Sequence, residues 1–256
     1  TIVNTALPAM ARSLGESPLE MQAVIVSYAL TMAVVIPASG WVADRFGTQR
    51  VFFTAIVLFT LGSAACAASP SLHWLVAARV LQGLGGALLL PVGRLAVLRA
   101  YPREQFLEAM SFVAMPGLIG PLVGPTLGGW LVEAASWHWI FLINLPVGVL
   151  GALATLRYMP GGRSERPPAF DAGGYTMLVV AMLALSLALD GLGGLGMKHL
   201  LVLLLLLLGL AALTAYWLHA ARVPAPLFTP RLFSLQSFRV GLLGNLFARI
   251  GSGAMP

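Results

Sequence analysis

Charge is scarce in this chain. Only 9% of its 256 residues are Asp, Glu, Lys or Arg, against roughly a quarter in soluble domains, which excludes an ordinary water-soluble globular protein. Lysine is all but missing. Met197 precedes the single one, Lys198, where a phosphate-binding loop of the ATPase type would need glycine, so ATP hydrolysis is not encoded. The lone cysteine, Cys66, excludes a disulfide within the chain and reads as a small buried apolar residue. Four histidines, His73, His138, His199 and His219, are scattered near the ends of apolar runs. They form no metal site, and no nucleophile–base pair marks an enzyme.

What the chain has in quantity is apolar sequence: 59% hydrophobic residues and a mean hydropathy of +0.89. Runs of about 18 to 25 residues match the length a membrane helix needs. Complete spans are predicted at 22–40, 51–68, 74–98, 108–131, 138–157, 173–192 and 199–219. The fold class is therefore an all-α polytopic membrane protein. Thr1 to Leu14 reads as part of a further span, and Phe238 to Pro256 as the start of another, so an N-terminal-half piece of a longer protein is expected.

The net charge of +6 and isoelectric point near 10.2 could suggest a polyanionic partner, but placement decides otherwise. Counting connections alternately, one set holds Arg45, Arg50, Arg99, Arg103, Arg157, Arg163, Arg166, Arg222, Arg231 and Arg239. The other holds Arg12 and Lys198. That asymmetry is the positive-inside pattern, which makes the arginine-rich connections cytoplasmic and leaves nothing for nucleic acid to explain.

The polar connections set the domain organisation. Residues 1–157 form a six-helix bundle with its first span incomplete, and 158–172 a proline-rich cytoplasmic linker. Residues 173–219 form an additional hairpin, 220–236 a second linker, and 237–256 the start of a second bundle. The hairpin's second run, LLVLLLLLLGL, carries no polar handle and reads as lipid-facing or structural. Gly191 to Gly196 fits G-x-G-x-x-G, but it follows a membrane span rather than a strand and reads as an outer turn.

Polar groups inside the spans are expensive in hydrocarbon and so point to pairing or function. These are Arg79, Gln82, Arg94, Asn144 and Arg249. Gln82 and Gly83 follow Arg79 at three and four residues, on one helical face, and Gly83, Gly85 and Gly86 allow another helix to approach. A buried guanidinium there suits a proton relay or an anion, and equally a structural arginine held by backbone carbonyls. Arg249 would lie near mid-membrane and face either a water-filled cavity with an anionic substrate or a carboxylate.

Between the second and third spans lies GWVADRFGTQR, residues 40–50. Gly40 is expected to permit close packing and Gly47 a tight turn, with Asp44, Arg45 and Arg50 as a charge cluster suited to a gate. The stretch MPGLIGPLVGPTLGGWL, 115–131, holds three prolines and five glycines. Gly120, Gly124 and Gly128 fall four apart on one smooth face. Pro121 and Pro125 leave the carbonyls of Gly117 and Pro121 without their usual donors, so the helix can bend.

Five stretches, in order, resemble the motifs of the major facilitator superfamily, specifically its fourteen-span drug:proton antiporters: TIVNTALP, GWVADRFG, RVLQGLGGA, GPLVGPTLGG and WHWIFLINLPVG. The resemblance implies two bundles rocking about a mid-membrane substrate site. It implies that Arg79, with Gln82, serves proton coupling and that Gly40, Asp44, Arg45, Gly47 and Arg50 form the gating loop. Gly120, Pro121, Gly124, Pro125, Gly128 and Gly129 would be the antiporter motif, its partner helix in the second half. Asn4, Asn144 and Arg249 are candidates for the substrate cavity. Thr48 and Gln49 stand where the loop motif usually has two basic residues, His138 replaces a usual arginine, and the usual first-span acidic residue would precede Thr1.

The expected function is a proton-coupled exporter of small molecules in the bacterial cytoplasmic membrane, driven by the proton gradient without a cofactor. Its partners would be a small-molecule substrate, protons and membrane lipids, with the protein a monomer and a periplasmic adaptor left open. The alternatives are export of an organic-anion metabolite, toward which Arg79 and Arg249 lean, and a non-transporting sensor that kept the fold.

Overall fold

A computed structural model describes residues 2–102, 104–162, 168–193 and 198–253 of the chain. The side chains of Pro121 and Arg249, both named above, lie outside what is described, as does most of the Gly191–Gly196 turn. The described residues are helical, in the order α1 (Ile2–Leu14), α2 (Gln22–Val35), α3 (Ser39–Phe46), α4 (Thr48–Ala67), α5 (Leu72–Ala100) and α6 (Phe106–Ala134). Then come α7 (Trp139–Leu142), α8 (Asn144–Tyr158), α9 (Ala172–Gly193), α10 (His199–Ala220) and α11 (Gln236–Gly253). Among the described residues six helical stretches are long and apolar enough to cross a membrane. The 29-residue α6 also has the length.

Helix starts follow local chemistry. Ser71 caps α5, its hydroxyl accepting from the Trp74 N–H at 3.4 Å. Before α2, Ser17 and Glu20 form a reciprocal box: the Ser17 hydroxyl accepts from the Glu20 N–H, and the Glu20 carboxylate accepts from the Ser17 N–H at 3.1 Å and its hydroxyl at 2.7 Å. Those bonds hold the Glu20 carboxyl below its ordinary range.

Pro37 shapes the second span. Lacking an N–H, it cannot continue the α-helical ladder; the chain passes through a 3₁₀ turn, Ile36–Ala38, and resumes as α3. The span therefore runs from Gln22 to Phe46, six residues beyond the predicted end. Gly40, Asp44 and Arg45 lie on α3 and Arg50 on α4, so the predicted loop is two helices joined at Gly47. Its φ of +93° is a conformation glycine adopts freely. Gly47 thus makes the expected turn. A Cβ built on Gly40 meets nothing within 4 Å among the described residues.

In lipid, helices associate by packing rather than by withdrawal from water, and α4 packs closely on α5. A Cβ on Gly85 would lie 2.5 Å from the Ala55 carbonyl oxygen and from the Phe59 nitrogen; one on Gly62 would lie 2.5 Å from the Gln82 nitrogen. Gly83 and Gly86 face α2, against Thr31 and the Tyr28 hydroxyl. At the outer end a core of Met10, Met21, Val24, Cys66, Leu75 and Phe141 joins α1, α2, α4, α5 and α7. On α6 the glycine face finds its partner within this chain at Gly128, whose added Cβ would lie 2.5 Å from Ile2 of α1. Gly124 reaches Ile2 only at 3.9 Å, and nothing lies within 4 Å of Gly120 or Gly129. Within this chain, α1 packs on the outer end of the face. Despite its prolines, α6 runs as one helix.

The additional hairpin is stitched to the bundle. Tyr175 of α9 donates to the Val34 carbonyl at 3.0 Å, just before the Pro37 break. The Trp41 indole donates to the Pro168 carbonyl at 3.0 Å, and the Trp41, Phe170 and Tyr175 rings follow one another at 4.7 and 5.3 Å between centroids. Asp171 accepts from Gly174 N–H and pairs with His219 at 2.8 Å, closing the hairpin's base. Gly209 lets α10 approach Leu185 of α9. The opposite face of α10 exposes Leu200, Leu203, Leu204, Leu207 and Leu210, as a lipid-facing helix would.

Candidate functional site

The α2, α4 and α5 contact encloses Arg79, which is only 6% exposed. Its Nε donates to the Val24 carbonyl at 3.1 Å and its Nη1 to Gln82 Oε1 at 2.5 Å, while the guanidinium lies 4.1 Å from the Tyr28 ring centroid. A planar cation on an aromatic face is a favourable pair once water is excluded. Gln82 passes the chain onward, donating through Nε2 to Ser63 Oγ at 2.6 Å. Asn144 Nδ2 donates to the same hydroxyl at 3.4 Å. The predicted pair Arg79–Gln82 is therefore one end of a four-residue polar chain, Arg79–Gln82–Ser63–Asn144, spanning α5, α4 and α8. Cys66, buried as expected, puts its sulfur 3.9 Å from Gln82 Oε1.

Sequence reasoning missed Val24, Tyr28 and Ser63. Ser63 follows a glycine in an apolar run and Tyr28 is one tyrosine among five; neither spacing points to Arg79, because the contacts are 55 residues apart for Val24 and 19 between Gln82 and Ser63. Both earlier readings of Arg79 have a basis here, a backbone carbonyl on one side and a polar relay on the other. An open anion site is not what surrounds it.

The gate cluster is rearranged relative to expectation. Asp44 pairs with Arg99 at the end of α5, whereas Arg45 and Arg50 are exposed. Arg99 also donates to the Gly162 carbonyl at 3.3 Å. Thr48 and Gln49, uncharged where the motif is usually basic, bind the linker side instead: Thr48 N–H to Gly162 O at 2.9 Å, and Gln49 Nε2 to Thr155 O and Leu156 O at 3.2 and 3.3 Å. With both Asp44 and Arg99 side chains about 30% exposed, the pair is worth about 1 kcal/mol or less. A double-mutant cycle with Asp44→Asn and Arg99→Gln is expected to give a coupling of about 0.5 kcal/mol that shrinks in high salt. Zero coupling at low salt would remove the pair from the gate.

His138, standing for the motif arginine, stacks on Trp137 at 3.7 Å and lies 3.3 Å from Ser136 Oγ. Asn144 lines a cavity of about 660 Å³ between α4, α5, α6 and α8. Asn4 is exposed on α1 and does not line it.

Comparison with known proteins agrees with this architecture. The family model "Major Facilitator Superfamily" matches residues 1–256. The chain is 60% identical over 256 residues to the "Putative multidrug resistance protein MdtD" of Yersinia enterocolitica, covering all of this chain and 54% of that protein. It is 58% identical to the proteins of that name from Serratia proteamaculans and Pectobacterium carotovorum, covering 54% and 55% of them. The chain thus spans about half the length of these relatives. Crystal structures of a peptide transporter, POT, in complex with sulfate share the fold: one has a TM-score of 0.62 at 21% identity over 87% of this chain and 48% of the other. These relatives and the six apolar helices fit a multi-pass protein of the bacterial inner membrane. By motif order, helical architecture and a match over its whole length, the chain belongs to the major facilitator superfamily.

Proposed function

We propose that this chain is the N-terminal portion of a proton-coupled exporter that expels small molecules from the cytoplasm by alternating access. The observation that carries this reading is the buried Arg79, tied to a polar chain across three helices in a setting where each polar group is costly. A guanidinium stays protonated at physiological pH, so Arg79 is not itself the proton carrier. Its role is to hold a fixed charge that a titrating carboxylate elsewhere in the full protein feels, biasing one state of the rocking bundles when that group gains or loses a proton. Multidrug resistance in the names of the relatives supports small molecules as cargo, with the membrane lipids as the surrounding solvent.

The Asp44–Arg99 pair ties α3 to α5, Thr48 and Arg99 bind Gly162 of the linker, and Gln49 binds the end of α8, as a closed gate on the cytoplasmic side requires. Of the two arginines toward which an organic-anion cargo leans, Arg79 has its guanidinium taken up by Val24, Gln82 and Tyr28 and lends that reading no support. The test is accumulation in everted vesicles carrying the full-length protein, over a panel of neutral, cationic and anionic fluorescent compounds. Acidifying the vesicle interior should drive uptake of at least one of them. No uptake across the panel, with the protein folded and inserted, would leave the sensor reading.

A further inference from the structure

The cavity beside Asn144 is lined by α4, α5, α6 and α8, and its chemistry is specific. It runs along α8 from Asn144 to Tyr158, about 20 Å at 1.5 Å per residue. Its volume of about 660 Å³ falls within the roughly 300–1,000 Å³ of small-molecule sites. Among the described residues the wall carries no Asp, Glu, Lys, Arg or His; apart from Thr60, Asn144, Thr155 and the Tyr158 hydroxyl it is apolar. Charge appears only beyond it, where Glu108 lines a neighbouring cavity of about 520 Å³.

Most polar groups on the wall are already committed. The Thr60 and Thr155 hydroxyls donate to the carbonyls of Ile56 and Gly151, one turn back on their own helices, at 2.7 Å. Asn144 differs, because its amide nitrogen is bound across helices to Ser63. That contact, long at 3.4 Å, leaves the amide carbonyl oxygen as an acceptor that no helix turn claims. Gly148 and Gly93 let α8 and α5 pack closely on α4 beside the cavity, where an added Cβ would meet Thr60 and Phe52.

We propose that this cavity is a binding site for an electrically neutral, lipophilic small molecule bearing one hydrogen-bond donor, which Asn144 accepts. A charged ligand would be desolvated against an apolar wall without a counter-ion, at a cost that excludes it. The occupant is in hydrogen-bond continuity with Arg79 through Ser63 and Gln82, so the site communicates with the charge at the α2–α5 contact. The proposal concerns binding and does not depend on transport.

The test uses full-length protein in detergent and the neutral fluorescent amine N-phenyl-1-naphthylamine, with no ion gradient. Saturable binding is expected. Ala154→Trp and Val147→Trp, which fill the cavity from α8, should each weaken it tenfold or more, and Asn144→Leu threefold or more, in protein that remains monodisperse. Two differently placed bulky variants guard against one failing to fold. Ethidium and 8-anilinonaphthalene-1-sulfonate, a cation and an anion, should be insensitive to the same variants. Unchanged amine binding in both tryptophan variants would overturn the site. Equal weakening of the charged probes would overturn the neutral class. Failure of the amine to bind in lipid nanodiscs, while it binds in detergent, would assign the cavity to an acyl chain and overturn the proposal too.

Discussion

Full-length protein carrying Arg79→Ala is expected to lose gradient-driven accumulation in everted vesicles by about 100-fold or more, the scale on which positioned proton-transfer machinery contributes. Exchange of labelled for unlabelled substrate without a gradient should persist, because that half-reaction needs no proton to cross. The substitution also leaves Gln82 Oε1 with only the weak Cys66 thiol beside it, a cost of about 1–3 kcal/mol. The Val24 carbonyl is less affected, since the Ser27 hydroxyl also donates to it at 3.3 Å. Arg79→Lys should recover part of the stability and little of the coupling. An ammonium is a point charge that cannot lie flat on Tyr28 while reaching both Val24 and Gln82. Loss of exchange and accumulation together, in stable protein, would mean that Arg79 serves binding rather than coupling. Retention of both would remove it from the mechanism.

The second large effect is on assembly. Gly85→Ala is expected to cost about 1–3 kcal/mol or more, because the atoms in its way, the Ala55 carbonyl and the Phe59 nitrogen, are backbone and cannot swing aside. Gly62→Ala should cost a similar amount and do a second thing. Its Cβ meets the Gln82 backbone at 2.5 Å, so relief of the clash moves Gln82 away from Ser63 and interrupts the polar chain to Arg79. The contrast is Gly40→Ala: with no described residue of this chain within 4 Å of the new methyl, it should lie within about 0.5 kcal/mol of wild type, or stabilise slightly through helix propensity. Thermal unfolding of the full-length variants in detergent checks all three. A Gly40→Ala as damaging as Gly85→Ala would contradict the packing described.

Much of the membrane architecture could be read from the chain itself, because span length and the placement of arginine are linear properties. Gly83, Gly85 and Gly86 could be read as a contact face, and Gly47 as a turn, from local spacing alone. What the sequence does not carry is which distant element each face meets. Asp44 has Arg45 beside it in sequence, yet its partner is Arg99; Arg45 follows it on α3 and is exposed. Gly128 fits a close-contact pattern whose partner, α1, is more than a hundred residues away. The i, i+3 spacing places Gln82 beside Arg79, while Val24, Tyr28 and Ser63 come from other helices and become legible only in three dimensions. Pro37 was visible, but its effect on the second span depends on whether packing ends the helix there or resumes it, and here α3 resumes.

The central claim is coupling to protons, and a direct measurement is solute flux in proteoliposomes of the full-length protein under an imposed pH gradient. With the lumen acidic and the cargo outside, the account predicts accumulation above the external concentration, accompanied by proton efflux and abolished when a protonophore collapses the gradient. Equilibration to the external concentration and no further, at a rate indifferent to the protonophore, would contradict it.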